Sequence, residues 1–386
     1  MMVSGAKKGE VTAYLSLIFI LFISFVGGIM ESASVQMAKN YRRADMNRAM
    51  ESVFAEYQKE LLDEYEIFAL EATYETGTYG ERNIKKRLEF YGAEGMEQSV
   101  KRLSLLTDHG GQPFLEQVAI YMEEKYGMDK VKDLTGKSAD WKTQEEEAGK
   151  YEENEKKQQG ELDQLLEENE GELPEKDNPI AHVAGLKKSS LPELVMPKGK
   201  EVSDKQMNLA DTLEYRGKRE GYGDFSDVSE GIGKLDHLLL GEYLMEHFPD
   251  ATKAGQKGDL LDYQLEYFLE GKGSDRENLE AVVKKLLMLR FVPNYIYLQG
   301  NAAKKAEAKA MALSLCAVLA VPAVTEAAAQ VILLAWAYGE SLVDIRSLLG
   351  GGKIPLVKSD ENWQLSLAGL LKLGEDGDLN DGKDCK

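Results

Sequence analysis

Apolar and polar positions alternate on three different scales along this chain. The first is an unbroken apolar run, Val11 to Met30 (VTAYLSLIFILFISFVGGIM): twenty residues without a charge, with Lys7, Lys8 and Glu10 before it and Glu31 after it. As a helix it is roughly 30 Å long, the hydrocarbon thickness of a bilayer, so it reads as a membrane anchor. A cleavable secretory signal has an apolar region of only roughly 7 to 15 residues, so length favours retention even though Ser32-Ala33-Ser34 offers small residues for cleavage.

The second scale is helical. From Ile29 to Thr76 there is neither glycine nor proline, and Met46, Ala49, Met50, Val53, Phe54, Tyr57 and Leu61 recur three or four apart. That spacing predicts an amphipathic helix that continues from the anchor to about Leu62 and docks a head through Met46, Met50, Val53, Phe54, Tyr57 and Leu61. An anchor followed by an independent helix satisfies the same periodicity. Tyr65 to Tyr74 reads as a short strand or the helix end, Gly77 to Gly80 as a turn, and Ile84–Tyr91 and Pro113–Tyr126 as helices. Further helices are predicted over Asp227–Phe248 and Asp259–Leu269. Another opens at the capping box Ser274–Glu277 and is limited by Pro293. The apolar tract Met311–Tyr338 is long enough to cross a bilayer, but Pro322 interrupts it and Glu326 falls near its middle, which predicts two core helices ended by Gly350–Gly352.

The third scale is charge. Ser138 to Asp177 holds fifteen acidic residues and five lysines, half of the formal net charge of −20, and predicts a solvated connector. The expected domains are a tail and anchor (1–31), an amphipathic helix with a first helical body (32–137), an acidic connector (138–207) and a second helical domain (208–386). The fold class is mainly α with at most minor β structure. A chain this acidic repels phosphate backbones, so nucleic acid is not an expected partner.

Catalytic and metal motifs begin at several places and none is complete. In Gly350-Gly351-Gly352-Lys353, Ile354 stands where a phosphate loop needs serine or threonine. Gly231-Ile232-Gly233 has Asp236 at the third glycine position of a dinucleotide fingerprint. In Asp224–Ser229 the second serine is one residue late for a metal-dependent adhesion motif, and a helix start capped by Ser226 or Asp227 explains it better. Asp376, Asp378 and Asn380 open like a calcium loop but end without the bidentate glutamate. The histidines 109, 182, 237 and 247 are scattered, and the two cysteines, Cys316 and Cys385, exclude a disulfide scaffold. No catalytic residue, cofactor or metal ligand is assigned, and the chain reads as non-enzymatic. The alternative is a membrane-tethered cell-envelope hydrolase whose site assembles only in three dimensions.

The start of the chain, KKGEVTAYLSLIFILFISFVGGIMESA and then MAKNYRRADMNRAMESVFAEYQKELLDEYEIFAL, resembles a family of membrane-anchored proteins of Gram-positive bacteria associated with tight-adherence (Flp-type) pilus systems, with a pseudopilin-like anchor. The resemblance extends through Leu106–Met122, Ser274–Leu298 and Leu333–Trp363. It implies a body outside the cytoplasmic membrane and a role in assembling, anchoring or displaying a thin pilus. The partners it implies are membrane lipid, other pilus or secretion-system subunits, and a second copy packed through the anchor. Prepilin processing follows a glycine before the apolar segment, which makes Gly9 and Glu10 the candidate processing pair, although Tyr14 stands where prepilins carry glutamate. Ser16, Ser24, Gly27 and Gly28 are the candidates for close helix packing in the membrane. The positive-inside count, Lys7 and Lys8 before the anchor against Lys39, Arg42, Arg43 and Arg48 after it, taken alone favours a cytoplasmic body.

Overall fold

A computed structural model describes the chain except residues 1–5, 72, 75–79, 170, 209–219, 226–233, 254–258, 318, 320 and 375–386. The described residues form helices joined by turns, with three isolated β-bridges and no strand. The chain divides into two compact units: unit 1 is Met1–Tyr121 with Glu220–Gly231, and unit 2 is Met122–Arg219 with Ile232–Lys386. These boundaries differ from those read in the sequence, because the segment after Arg219 returns to unit 1 and the acidic region feeds unit 2.

Unit 1 is organised on α1 (Ala6–Phe54), one uninterrupted helix of 49 residues. Every residue from Gly9 to Ala44 is exposed, and only from Asp45 onward does the rest of the unit cover one side, burying Ala49 and Val53. The helix stops at Phe54 rather than near Leu62, with no glycine or proline to stop it. The cause is tertiary: Gln58 N donates to Ala69 O at 2.8 Å, Tyr57 bridges Leu70, and the rings of Phe54 and Tyr57 gather on Phe68. After α2 (Lys59–Tyr65), Glu66 closes the helix with φ 54°, and the described residues of Tyr65–Tyr74 form no strand.

Next come α3 (Glu81–Leu88), a π turn (Glu89–Ala93) and a 3-10 turn (Asp108–Gly110), followed by the first residues of α4 (Gln112–Glu168). α3 and the π turn lie along α1. Glu56 accepts from Arg87 Nε at 2.9 Å and from Tyr91 OH at 2.7 Å, and Arg42 Nη1 donates to Glu94 O at 3.3 Å. Gln117 exchanges two hydrogen bonds with the Phe68 backbone. The returning segment is pinned by buried Asp108, which accepts from Gly221 N, and by the Leu103–Tyr222 bridge.

In unit 2, α5 (Pro179–Leu186), α6 (Leu191–Val195), α7 (Lys234–His247), α8 (Gln264–Glu270), α9 (Asp275–Gly300), α10 (Ala302–Leu315), α11 (Pro322–Leu349) and α12 (Leu367–Leu370) follow in order. α11 is the core helix: Ile332, Trp336, Ala337, Glu340, Ser341, Asp344 and Ile345 are all fully buried. A helix apolar nearly all round belongs in a core or a bilayer, and this one is enclosed by α9, α10, α5 and α6. The division of the Met311–Tyr338 tract at Pro322 is as the sequence predicts, with Gly351 at φ 83° ending α11. Pro293, by contrast, does not end α9. The helix runs on to Gly300, because Leu287 and Phe291 on one side of the proline and Tyr295 and Leu298 on the other are buried in the same core. The acidic region also joins this core, through Leu162 of α4 and Val183, Leu186, Val195 and Met196.

Candidate functional site

Among the described residues, charged side chains converge in one buried place, where a C-terminal strap, residues 351–366, crosses α9 and α11. Glu340 and Asp344 lie one turn apart on α11, a pairing of like charges that destabilises an isolated helix. Here two cations compensate them. Lys358 Nζ donates to Glu340 Oε1 at 2.6 Å, to Asp344 Oδ1 at 2.7 Å and to Asn362 O at 3.1 Å, which uses all three of its N–H groups. Arg290 grips Asp344 Oδ2 through Nε (3.0 Å) and Nη2 (2.8 Å), and Asn294 Nδ2 joins it at 3.1 Å. Glu340 also accepts the backbone N–H groups of Gln364 (3.0 Å) and Leu365 (2.7 Å). Burial pushes the Glu340 carboxyl above its ordinary value, and Lys358 and the Gln364 N–H pull the other way.

Aromatic groups seal the site. Trp336 Nε1 and Trp363 Nε1 both donate to Leu365 O, at 2.8 and 2.6 Å, and Lys304 Nζ sits 4.5 Å over the Trp336 ring. Tyr297 stacks on Trp363 and donates to Asp360, and burial followed by that carboxylate pushes its phenol up to about 12. The charged groups of this cluster are spent on one another and on the strap's backbone, whereas Asn294 Oδ1 is buried without a partner. The arrangement holds a strap to two helices.

A second feature is a groove of about 660 Å³ between α4, α5 and α11, floored by Val183, Val331 and Leu334 and rimmed by Glu155, Lys156, Asp163 and Lys187. Its two carboxylates are two helical turns apart, and Glu155 is ion-paired with Lys187. Among the described residues no group of three histidine, cysteine, aspartate or glutamate side chains is placed to hold a metal ion.

The residues singled out in the sequence fall mostly on α1. Gly9 and Glu10 lie within the helix and are exposed, as are Ser16, Ser24, Gly27 and Gly28. Of the head-docking set, Val53 is buried, Met46, Tyr57 and Leu61 are half-buried, and Met50 and Phe54 are exposed. Ala49, at the centre of the contact, is completely buried and belongs to the same periodic face. Cys316 is a buried free thiol. Cys385, Asp376, Asp378, Asn380, Ser226, Asp227 and Gly231–Gly233 lie outside the described residues. Sequence reasoning missed Arg290, Glu340, Asp344 and Lys358 altogether.

Fold and site together define a mainly helical protein with a long N-terminal helix whose apolar stretch is exposed, and a core closed by an ionic strap. The chain belongs to a family of unknown function, DUF5702, whose model matches residues 169–386. No match emerges among curated proteins or among solved structures.

Proposed function

We propose that this protein is a non-enzymatic, single-pass membrane subunit with its body outside the cytoplasmic membrane, serving a tight-adherence-type pilus or secretion apparatus as a pseudopilin-like or scaffold component. The observation that carries the reading is the continuity of α1: an apolar length matched to a bilayer runs without a break into a helix onto which a head is packed. A design half in lipid and half under a head is that of a pilin, by analogy. The inward-directed charges of unit 2 support a structural rather than a chemical role. Its partners on this reading are membrane lipid and other subunits of the apparatus, and a net charge of −20 speaks against nucleic acid.

The test has two arms. Alkaline carbonate extraction of cell membranes should leave the full chain in the pellet, and protease added to wall-stripped intact cells should digest the body. A protein released by carbonate, or a body protected until the cells are lysed, overturns the reading. Cross-linking from an engineered residue in the anchor, followed by mass spectrometry, should recover a component of the pilus apparatus.

A further inference from the structure

The side chains of Lys358, Glu340 and Asp344 have no exposure to water, and Lys358 Nζ lies 2.6 Å from the first carboxylate and 2.7 Å from the second. The Trp363 ring centre is 6.0 Å from that nitrogen, and Trp336 meets Trp363 edge to face. A nitrogen hydrogen-bonded to a carboxylate oxygen stands about 3.5 Å from the carbon that bears it, a near-attack separation for an amine. Taking an ammonium and a carboxylate out of water costs both their hydration, which brings the neutral pair, amine beside acid, within reach. The two carboxylates differ in their surroundings. Asp344 Oδ2 accepts from Arg290 Nε, Arg290 Nη2 and Asn294 Nδ2 at 3.0, 2.8 and 3.1 Å, the donor set that steadies an oxyanion, while its Oδ1 faces Lys358. Glu340 has its carboxyl raised by burial, which suits it to take up and return a proton.

We propose that Lys358 Nζ and Asp344 Cγ condense into an intramolecular amide, with Glu340 carrying protons between them. The bond that forms is Nζ–Cγ, and the bond that breaks is Cγ–Oδ1. Glu340 takes a proton from the Lys358 ammonium, which frees the lone pair that attacks Cγ. Negative charge then collects on Oδ2, where Arg290 and Asn294 already donate. Glu340 passes its proton to Oδ1, removes a second one from the nitrogen and delivers it to the same oxygen, which departs as water. An ammonium and a carboxylate thus become an amide and one water without oxidant, reductant or co-reactant, and Glu340 ends as it began. Asn294 Oδ1, buried without a partner in the same cluster, is an acceptor for the departing water. The step occurs once per chain, so it is a modification and not a turnover, and it does not depend on where α1 stands. Its product ties the strap to α11 by closing a ring over residues 344–358.

Tryptic mapping of the full chain, purified in detergent, tests this by mass spectrometry. Trypsin should fail to cut after Lys358, and residues 310–346 and 354–372 should appear as one branched peptide. That peptide should weigh about 18 Da less than its two parts together, the mass of the expelled water, with fragment ions that place the link between Asp344 and Lys358. Lys358→Arg keeps the positive charge but has no nucleophilic amine, and it should restore both cleavage at 358 and the full masses. Glu340→Gln keeps the side-chain volume, and in a time course from freshly made protein it should slow the link about a hundredfold or more, with helix content checked by circular dichroism. The wild-type map decides even where a variant does not fold. Residues 354–358 and 359–372 recovered separately at full mass show an ion pair only and overturn the proposal. A loss of about 18 Da without branching, as from a succinimide at an aspartate, overturns it too. A link formed at the wild-type rate in Glu340→Gln overturns the role given to Glu340.

Discussion

Asp344 accepts from Arg290, Asn294 and Lys358 with no exposure to water. Removing one partner from such a group is costly because a buried charge is left behind. Lys358→Met should therefore destabilise unit 2 by about 3–5 kcal/mol in urea denaturation. Lys309→Met, which breaks an ion pair with Glu326 exposed on both sides, should cost under about 1 kcal/mol. Glu266 behaves differently. Its Oε1 accepts from Ala251 N at 3.0 Å, its Oε2 is buried without a partner, and burial first, then Asp250 and Asp275, pushes its carboxyl up. A carboxyl whose folded value is raised does not oppose folding below the ordinary carboxylate range, and stability is lost as pH rises through the raised value. Glu266→Gln should thus match the wild type in acid and exceed it at neutral pH, read from urea midpoints at both.

Among the elements, what could be read in advance is what leaves a local mark. α1 was legible because an apolar run and a stretch without breakers are both continuous, and α9 because Ser274 caps it, accepting from Glu277 N at 3.3 Å. Its passage through Pro293 was not legible, since the compensation comes from packing on α11. The ionic strap was illegible for the same reason: Arg290 and Lys358 lie 54 and 14 residues from Asp344, and a charge in a sequence is ordinarily read as surface. The end of α1 shows the limit as well, because the strand-like pairing of Gln58 with Ala69 leaves no compositional signal. Where α11 meets the strap, Gly339 is enclosed: an added Cβ would strike Leu370, and Leu365 at 2.8 Å. Alanine in place of a helical glycine gains about 1 kcal/mol, whereas overpacking costs about 1–3 kcal/mol. Both leucines are buried, so the second effect should win, and Gly339→Ala should lower the thermal midpoint of unit 2.

At the scale of the whole molecule, the strap makes the C-terminal residues part of unit 2's core rather than a tail. Truncation after Gly350 would strip Lys358 from two buried carboxylates and Leu365 O from the Trp336 indole. Amides of α11 should then lose hydrogen-exchange protection while those of α3, in unit 1, keep theirs. For unit 1 the decisive feature is that the apolar run and the helix above it are one piece. Fourteen exposed residues, Glu31 to Ala44, set the head about 21 Å beyond the apolar run. A lean of roughly 20°, ordinary for a spanning helix, would sweep Phe54 sideways by about 12 Å. With that run in a bilayer, as proposed, membrane thickness sets the lean and becomes a steering input for whatever the head touches.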